Sequence, residues 1–235
     1  MNRGYFISFE GTEGSGKSTQ ARRLAERLRA LGRIVRLVRE PGGTPLAEEI
    51  RQTLKHSPNN AGITPETELL LICASRAQLV REVIRPALAA GEVVVCDRFH
   101  DSSVAYQGYG RGINLEQVRA IIDFAVGETR PDLTLLLHVS LEVSEARRHA
   151  RQLKLPLPEQ KQPKPGAAAP LPAFVPDRFE EADRDFFKRV EEGYLAIAAA
   201  EPQRVKLIEA AGSEEDVFAQ IWRIVEPLVT RKPSF

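Results

Sequence analysis

Five short apolar runs punctuate the chain, and amphipathic stretches fill the intervals between them. Tyr5-Phe6-Ile7-Ser8-Phe9 reads as a strand, followed by a glycine-rich turn and then by Ala21, Leu24, Ala25, Leu28 and Leu31 on one helical face. Ile34, Val35, Leu37 and Val38 mark a second strand, which Pro41-Gly42-Gly43 breaks before a short helix over Leu46 to Leu54. Val93 to Cys96 and Leu133 to Leu137 do not alternate with polar residues, as expected of strands covered on both faces in a parallel sheet. Val205 to Ile208 supplies a fifth strand.

Between these strands the period is helical. From Glu66 a helix carries Val80, Val83, Ile84, Ala87 and Leu88 on one face; Pro86 should kink or end it, and Gly91 is a natural stop. Further helices are predicted over Leu115 to Val126, Val143 to Arg151, Phe179 to Ala200 and Asp216 to Val229. Alternation of strand and helix predicts an α/β, three-layer fold: a five-stranded parallel sheet flanked by helices. Gln152 to Pro176 breaks the pattern, with seven of the chain's 16 prolines and neither period, and reads as a mobile or extended insertion within a lid segment at about 147–180. Gly108-Tyr109-Gly110-Arg111-Gly112 follows no strand, so it is assigned to a turn rather than to a dinucleotide fingerprint.

At 235 residues and 43% apolar content, the chain has the material for one domain, 1–235, with a sizeable core. Thirty-three basic against 32 acidic residues leave a net charge of +1, which provides no overall field for nucleic acid or an anionic bilayer. No apolar run exceeds about six residues, far short of a membrane span, and the expectation is a cytoplasmic protein. Cys73 and Cys96 stand apart from any metal-ligand spacing and read as buried thiols.

Chemistry enters with Gly11-Thr12-Glu13-Gly14-Ser15-Gly16-Lys17-Ser18, a G-x-x-x-x-G-K-[ST] phosphate loop set between a strand and a helix. Its backbone N–H groups and the helix N-terminus suit an anion, Lys17 suits β- and γ-phosphates, and the Ser18 hydroxyl suits Mg²⁺. Thr19 follows directly in the ATP-binding set. Phosphate loops serve switches, motors and kinases alike, so the class has to come from other residues. Arg39-Glu40-Pro41-Gly42-Gly43-Thr44 ends the second strand, and Asp97-Arg98-Phe99 ends a buried one, where open α/β sheets bind ligands. Asp97 suits a Mg²⁺-bound water and Arg98 a phosphate clamp. Arg147-Arg148-His149-Ala150-Arg151 and Asp177-Arg178-Phe179-Glu180 flank the insertion.

Taken together, these segments, with Arg76 and Ser102 to Gly112, resemble thymidylate kinases of the bacterial kind over nearly the whole length. The resemblance implies a homodimer that uses ATP and Mg²⁺ to phosphorylate dTMP to dTDP. It places Glu13 near the sugar 3′-hydroxyl and the metal, Arg98 at the dTMP phosphate with help from Arg39, and Arg76 at the thymine carbonyl. Ser102 and Ser103 fall beside the ring, with Gln107 adjacent, and Tyr106 falls where an aromatic group blocks a ribose 2′-hydroxyl. With no arginine among the loop's variable positions, the transition-state arginine is expected from the lid, as Arg148 or Arg151. Ile72 stands where the family usually stacks an aromatic residue on thymine, and Phe99 is expected to compensate from the other side. Two rivals share the loop: a nucleoside or nucleotide kinase for another base, and an ATP-binding switch module, which would need no second anion pocket.

Overall fold

The structure, a computed structural model, describes residues 3–57, 59–153 and 183–230. Strands β1 (Phe6–Glu10), β2 (Val35–Arg39), β3 (Val93–Asp97), β4 (Leu133–His138) and β5 (Val205–Glu209) form one parallel sheet in the order β2-β3-β1-β4-β5. The unalternating runs occupy its centre: β1, β3 and β4 are buried almost throughout, while the edge strands β2 and β5 leave several side chains partly or fully exposed. A run without polar alternation has two apolar faces and needs cover on both. On one face, α1 (Lys17–Ala30) and α9 (Glu214–Thr230) lay Leu24, Leu28, Ile221 and Val225 against Ile7, Phe9 and Val95. On the other, α3 (Pro65–Leu79), α6 (Leu115–Val126) and α8 (Arg184–Ala200) lay Leu69, Ile122 and Phe187 against Phe6, Val94 and Cys96.

Local chemistry sets the helix starts. In α2 (Pro45–His56) and α3 a Thr-Pro pair opens the helix: Thr44 and Thr64 each accept a backbone N–H three residues on, and proline takes the position whose N–H would be unpaired anyway. Asn114 caps α6, and Asp183 caps α8 by accepting from Phe186 N at 2.7 Å. The predicted start of the latter at Phe179 lies outside the described residues.

The helix after Glu66 runs on past Pro86. A π turn over Val80–Ile84 precedes α4 (Arg85–Ala89), so the missing N–H of Pro86 falls where the ladder has already changed register. Gly91, at φ 79°, makes the stop. A second π segment corrects the sequence reading. Val104–Gly110, continuing α5 (His100–Ser103), is helical, so Gly108, Tyr109 and Gly110 are not in a turn; the turn begins at Arg111. These glycines serve packing: a Cβ on Gly108 would stand 2.6 Å from Leu115 Cδ2, and one on Gly110 2.6 Å from the Phe186 ring. Glycine there signals close helix approach rather than chain reversal.

Strand order reverses on either side of β1, which opens a crevice beyond the carboxyl ends of the strands. Register places Phe9 and Arg39 both beside Asp97, so the ends of β1, β2 and β3 come level at that crevice. Helix α7 (Leu141–Leu153), which follows β4, brings Arg147 to it.

Candidate active site

A cavity of about 420 Å³ fills this crevice. One end is the phosphate loop. Gly16 stands at φ 92° as the residue before α1, a left-handed conformation that glycine adopts without strain and that turns the loop into the helix. Lys17 Nζ donates to Thr12 O at 2.6 Å and to Ser15 Oγ at 3.3 Å, which curls the loop around its own ammonium. Burial, reinforced by the Arg98 charge, pulls that ammonium down to about 8. An arriving anionic phosphate would reverse this. Behind the loop, Ser144 Oγ donates to Glu13 O at 2.6 Å, and Arg147 on α7 donates to the carbonyls of Gly14, Ala210 and Ala211. Glu13, Gly14, Gly16, Lys17 and Ser18 line the cavity; Gly11, Thr12, Ser15 and Thr19, of the same segment, do not. The Ser18 hydroxyl donates to Asp97 Oδ2, which brings a hydroxyl and a carboxylate together at the mouth.

Arg98 occupies the middle. Its backbone holds φ 71°, uncommon for a residue with a Cβ, and its guanidinium donates to Gly11 O at 3.0 Å, Ser102 Oγ at 3.2 Å, Tyr194 OH at 3.2 Å and Glu13 Oε1 at 2.6 Å. The same group lies 5.0 Å from the Tyr106 ring, whose hydroxyl donates to Glu13 Oε2 at 2.5 Å. Burial alone would raise Glu13, but Arg98, Lys17 and the Tyr106 hydroxyl reverse this and hold it below the usual carboxylate range. The site therefore keeps a cation and an anion side by side, both ready to exchange partners. Beneath them Glu10 accepts from Phe99 N at 2.7 Å, Ser102 Oγ at 2.6 Å and Tyr194 OH at 2.9 Å. Burial and the Asp101 carboxylate push Glu10 up to about 7.

At the far end Arg76 is buried, 1% exposed, yet lines the cavity. Its Nε donates to Glu40 Oε2 at 2.7 Å, Nη1 to Ser103 Oγ at 3.0 Å and Nη2 to Phe99 O at 3.2 Å. Burial pushes Glu40 up to about 7 against the pull of Arg76. Ile72, Ser102, Ser103, Tyr106 and Gln107 complete this end, and Arg39 lines the cavity while donating to Glu48 at 2.8 Å.

Most of the residues expected from sequence thus share one cavity. Outside the phosphate-loop segment, two with described side chains do not reach it. Phe99 packs edge-on to Phe6 at 4.8 Å with no exposed surface, so it offers the cavity no ring face. Arg148 stacks 4.2 Å over Phe187 and does not line the cavity. Arg151 sits in the last turn of α7 with its side chain outside the described residues, as do Asp177 to Glu180 and nearly all of the insertion. Sequence reasoning singled out the segments that hold Glu40 and Arg147 without giving either a role, and passed over Arg51 and Lys55; all four line the cavity, and Tyr194 and Glu10, also passed over, lie beneath it. Arg51 and Lys55 carried one signal, an i,i+4 basic pair on the helix that follows the Pro-Gly-Gly break.

A cavity with a phosphate loop at one end and arginines in its middle and at its far end suits two phosphate-bearing ligands. Switches and motors built on the same loop need only one; the arrangement is that of a P-loop kinase acting on a small phosphorylated acceptor. Comparison with known proteins narrows the class. The family model described as Thymidylate kinase matches residues 9–221. The thymidylate kinase of Syntrophotalea carbinolica is 45% identical over 218 residues, 93% of each chain, and that of Pseudomonas syringae pv. tomato is 46% identical over 226 residues, 96% of this chain and 97% of the other. A crystal structure of thymidylate kinase from Ehrlichia chaffeensis superposes with a TM-score of 0.70 at 30% identity, covering 95% of this chain and 99% of that one. The chain belongs to the thymidylate kinase family.

Proposed function

We propose that this protein transfers the γ-phosphoryl group of ATP to the phosphate of dTMP, releasing ADP and dTDP. The observation that carries this reading is the single cavity that joins Lys17 and the loop to Arg98, Arg39 and Arg76. Lys17 and the loop N–H groups hold the ATP phosphates; Arg98, aided by Arg39, holds the acceptor phosphate in line with them. Glu13, kept ionised beside Arg98, accepts the sugar 3′-hydroxyl, and Tyr106 stands against the position of a ribose 2′-hydroxyl. Arg76 and Gln107 meet the base edge over Ile72.

Ser18 and Asp97 suit Mg²⁺, because a hydroxyl and a carboxylate already in contact are hard oxygen donors and Mg²⁺ takes few protein ligands, leaving the rest to phosphates and water. Among the described residues no cluster of three metal-type side chains competes for it. When bound, the ion neutralises phosphate charge. The arginine that stabilises the moving phosphoryl group comes from α7, as Arg148 or Arg151; Arg148 must leave Phe187 to serve. The protein acts as a homodimer in the cytoplasm, as one domain over 1–235 with a lid at about 147–180. Among the described residues no helix is long and apolar enough to cross a membrane.

The test is ADP release with Mg-ATP and a panel of dTMP, dUMP, dCMP, dGMP, UMP and AMP, with Lys17→Ala as control. Turnover dominated by dTMP is expected. Preference for another monophosphate would keep the kinase class and overturn the base-site roles, and ATP binding without turnover on any of them would point to a switch.

A further inference from the structure

Gln107 is 1% exposed and lines the binding cavity, and its buried side-chain oxygen Oε1 has no hydrogen-bond partner among the described residues. Its Nε2 donates at 2.9 Å to Oε1 of Glu68, a carboxylate on α3 with no exposed surface that does not itself line the cavity. Arg111 spans that carboxylate, Nε to Oε1 at 3.2 Å and Nη2 to Oε2 at 3.1 Å. An ionised carboxylate only accepts hydrogen bonds, so the amide has one favourable orientation: nitrogen towards Glu68, oxygen away from it. Turning it over would set two oxygens against each other in a buried site.

We propose that Glu68, which touches no ligand, determines which pyrimidine the cavity takes by fixing Gln107 as an acceptor. The proposal rests on the reading that dTMP is the acceptor substrate. Arg76 is a donor only, and Gln107 held this way presents its oxygen, an acceptor, on the side away from Glu68. A donor beside an acceptor complements O4 and N3–H of thymine or uracil. Cytosine carries the reverse pair, an amino group where O4 stood and a bare N3, so it meets like against like at both contacts. Buried polar groups left unpaired discriminate strongly between close analogues. Glu68 is thus a positioning residue, set 39 positions from the amide it orients.

The experiment measures kcat/KM for dTMP, dUMP and dCMP in wild type, Glu68→Gln, Gln107→Leu and the double variant. A glutamine at 68 can donate as well as accept, which frees Gln107 to turn. The dTMP-to-dCMP ratio is expected to fall at least tenfold in Glu68→Gln, while the dTMP-to-dUMP ratio, whose members share the N3–H and O4 edge, stays within twofold. In the Gln107→Leu background the same substitution should leave the dTMP-to-dCMP ratio unchanged. A purely structural role would lower all three substrates together and leave the ratios alone, which would overturn the proposal. Should Glu68→Gln not fold, Glu68→Gln with Arg111→Met leaves no unpaired guanidinium and carries the same test. A wild type without preference for dTMP over dCMP would overturn the substrate reading and the proposal with it; an intact wild-type preference that survives Glu68→Gln overturns the proposal alone.

Discussion

Replacing Glu40 by alanine strips a guanidinium of its counter-charge where water cannot replace it. The side chains of Arg76 and Glu40 are 1% and 2% exposed and meet at 2.7 Å, so solvent screening gives little relief. Removing one member of a buried pair costs about 3–5 kcal/mol. Arg76 keeps Ser103 Oγ and Phe99 O as acceptors, which argues for the lower end, about 3 kcal/mol. For a chain of this size each kcal/mol moves the melting temperature by about 2–4 °C, so Glu40→Ala should melt about 6–12 °C below wild type. Calorimetry at pH 8 is the assay, because burial pushes Glu40 up to about 7 and the pair must be ionised. Glu40→Leu with Arg76→Met removes both charges and should recover at least half of the loss, though not the activity. A single variant within about 2 °C of wild type, or a double variant no more stable than the single, would refute the view that Arg76 depends on Glu40.

Two further outcomes follow from the same geometry. Gly11→Ala should abolish Mg-ATP binding by calorimetric titration and lower the melting temperature by at least about 4 °C, since φ is +134° and the new Cβ would meet the Leu137 carbonyl oxygen at 2.2 Å; Gly62→Ala, with nothing within 4 Å, should do neither. Glu10 is raised from 4.5 to about 7, so its proton stabilises the folded state fully below pH 4.5 and that stability is lost as pH rises through 7, up to about 3 kcal/mol. Wild type should therefore lose stability relative to Glu10→Gln between pH 5 and 8 in thermal melts, and a constant difference would show that Glu10 does not titrate there.

The sheet was legible because each central strand announces itself: a run apolar on both faces has nowhere to go but between two helical layers. The phosphate loop was legible for a related reason, since eight consecutive residues carry the whole device and need only a strand before and a helix after. Even the proposed second anion site was partly readable, because Arg39 and Asp97-Arg98 end strands whose carboxyl ends border the crevice. The π segment over Val104–Gly110 was not, since glycine marks both a turn and a close packing contact, and only Leu115 and Phe186 decide which.

By itself, then, the sequence determined the α/β alternation, the loop chemistry and the family, all of which depend on local pattern. Tertiary structure decided the partners. Glu10 meets Tyr194 across 184 positions, and Arg98 meets Glu13 across 85. Ring faces and guanidinium groups were decided the same way: Phe99 turned into the core and Arg148 onto Phe187, while Glu40, buried beneath a glycine turn, came to hold Arg76. Side-chain direction and charge pairing depend on which elements pack together, and no local window of sequence contains both members of such a pair.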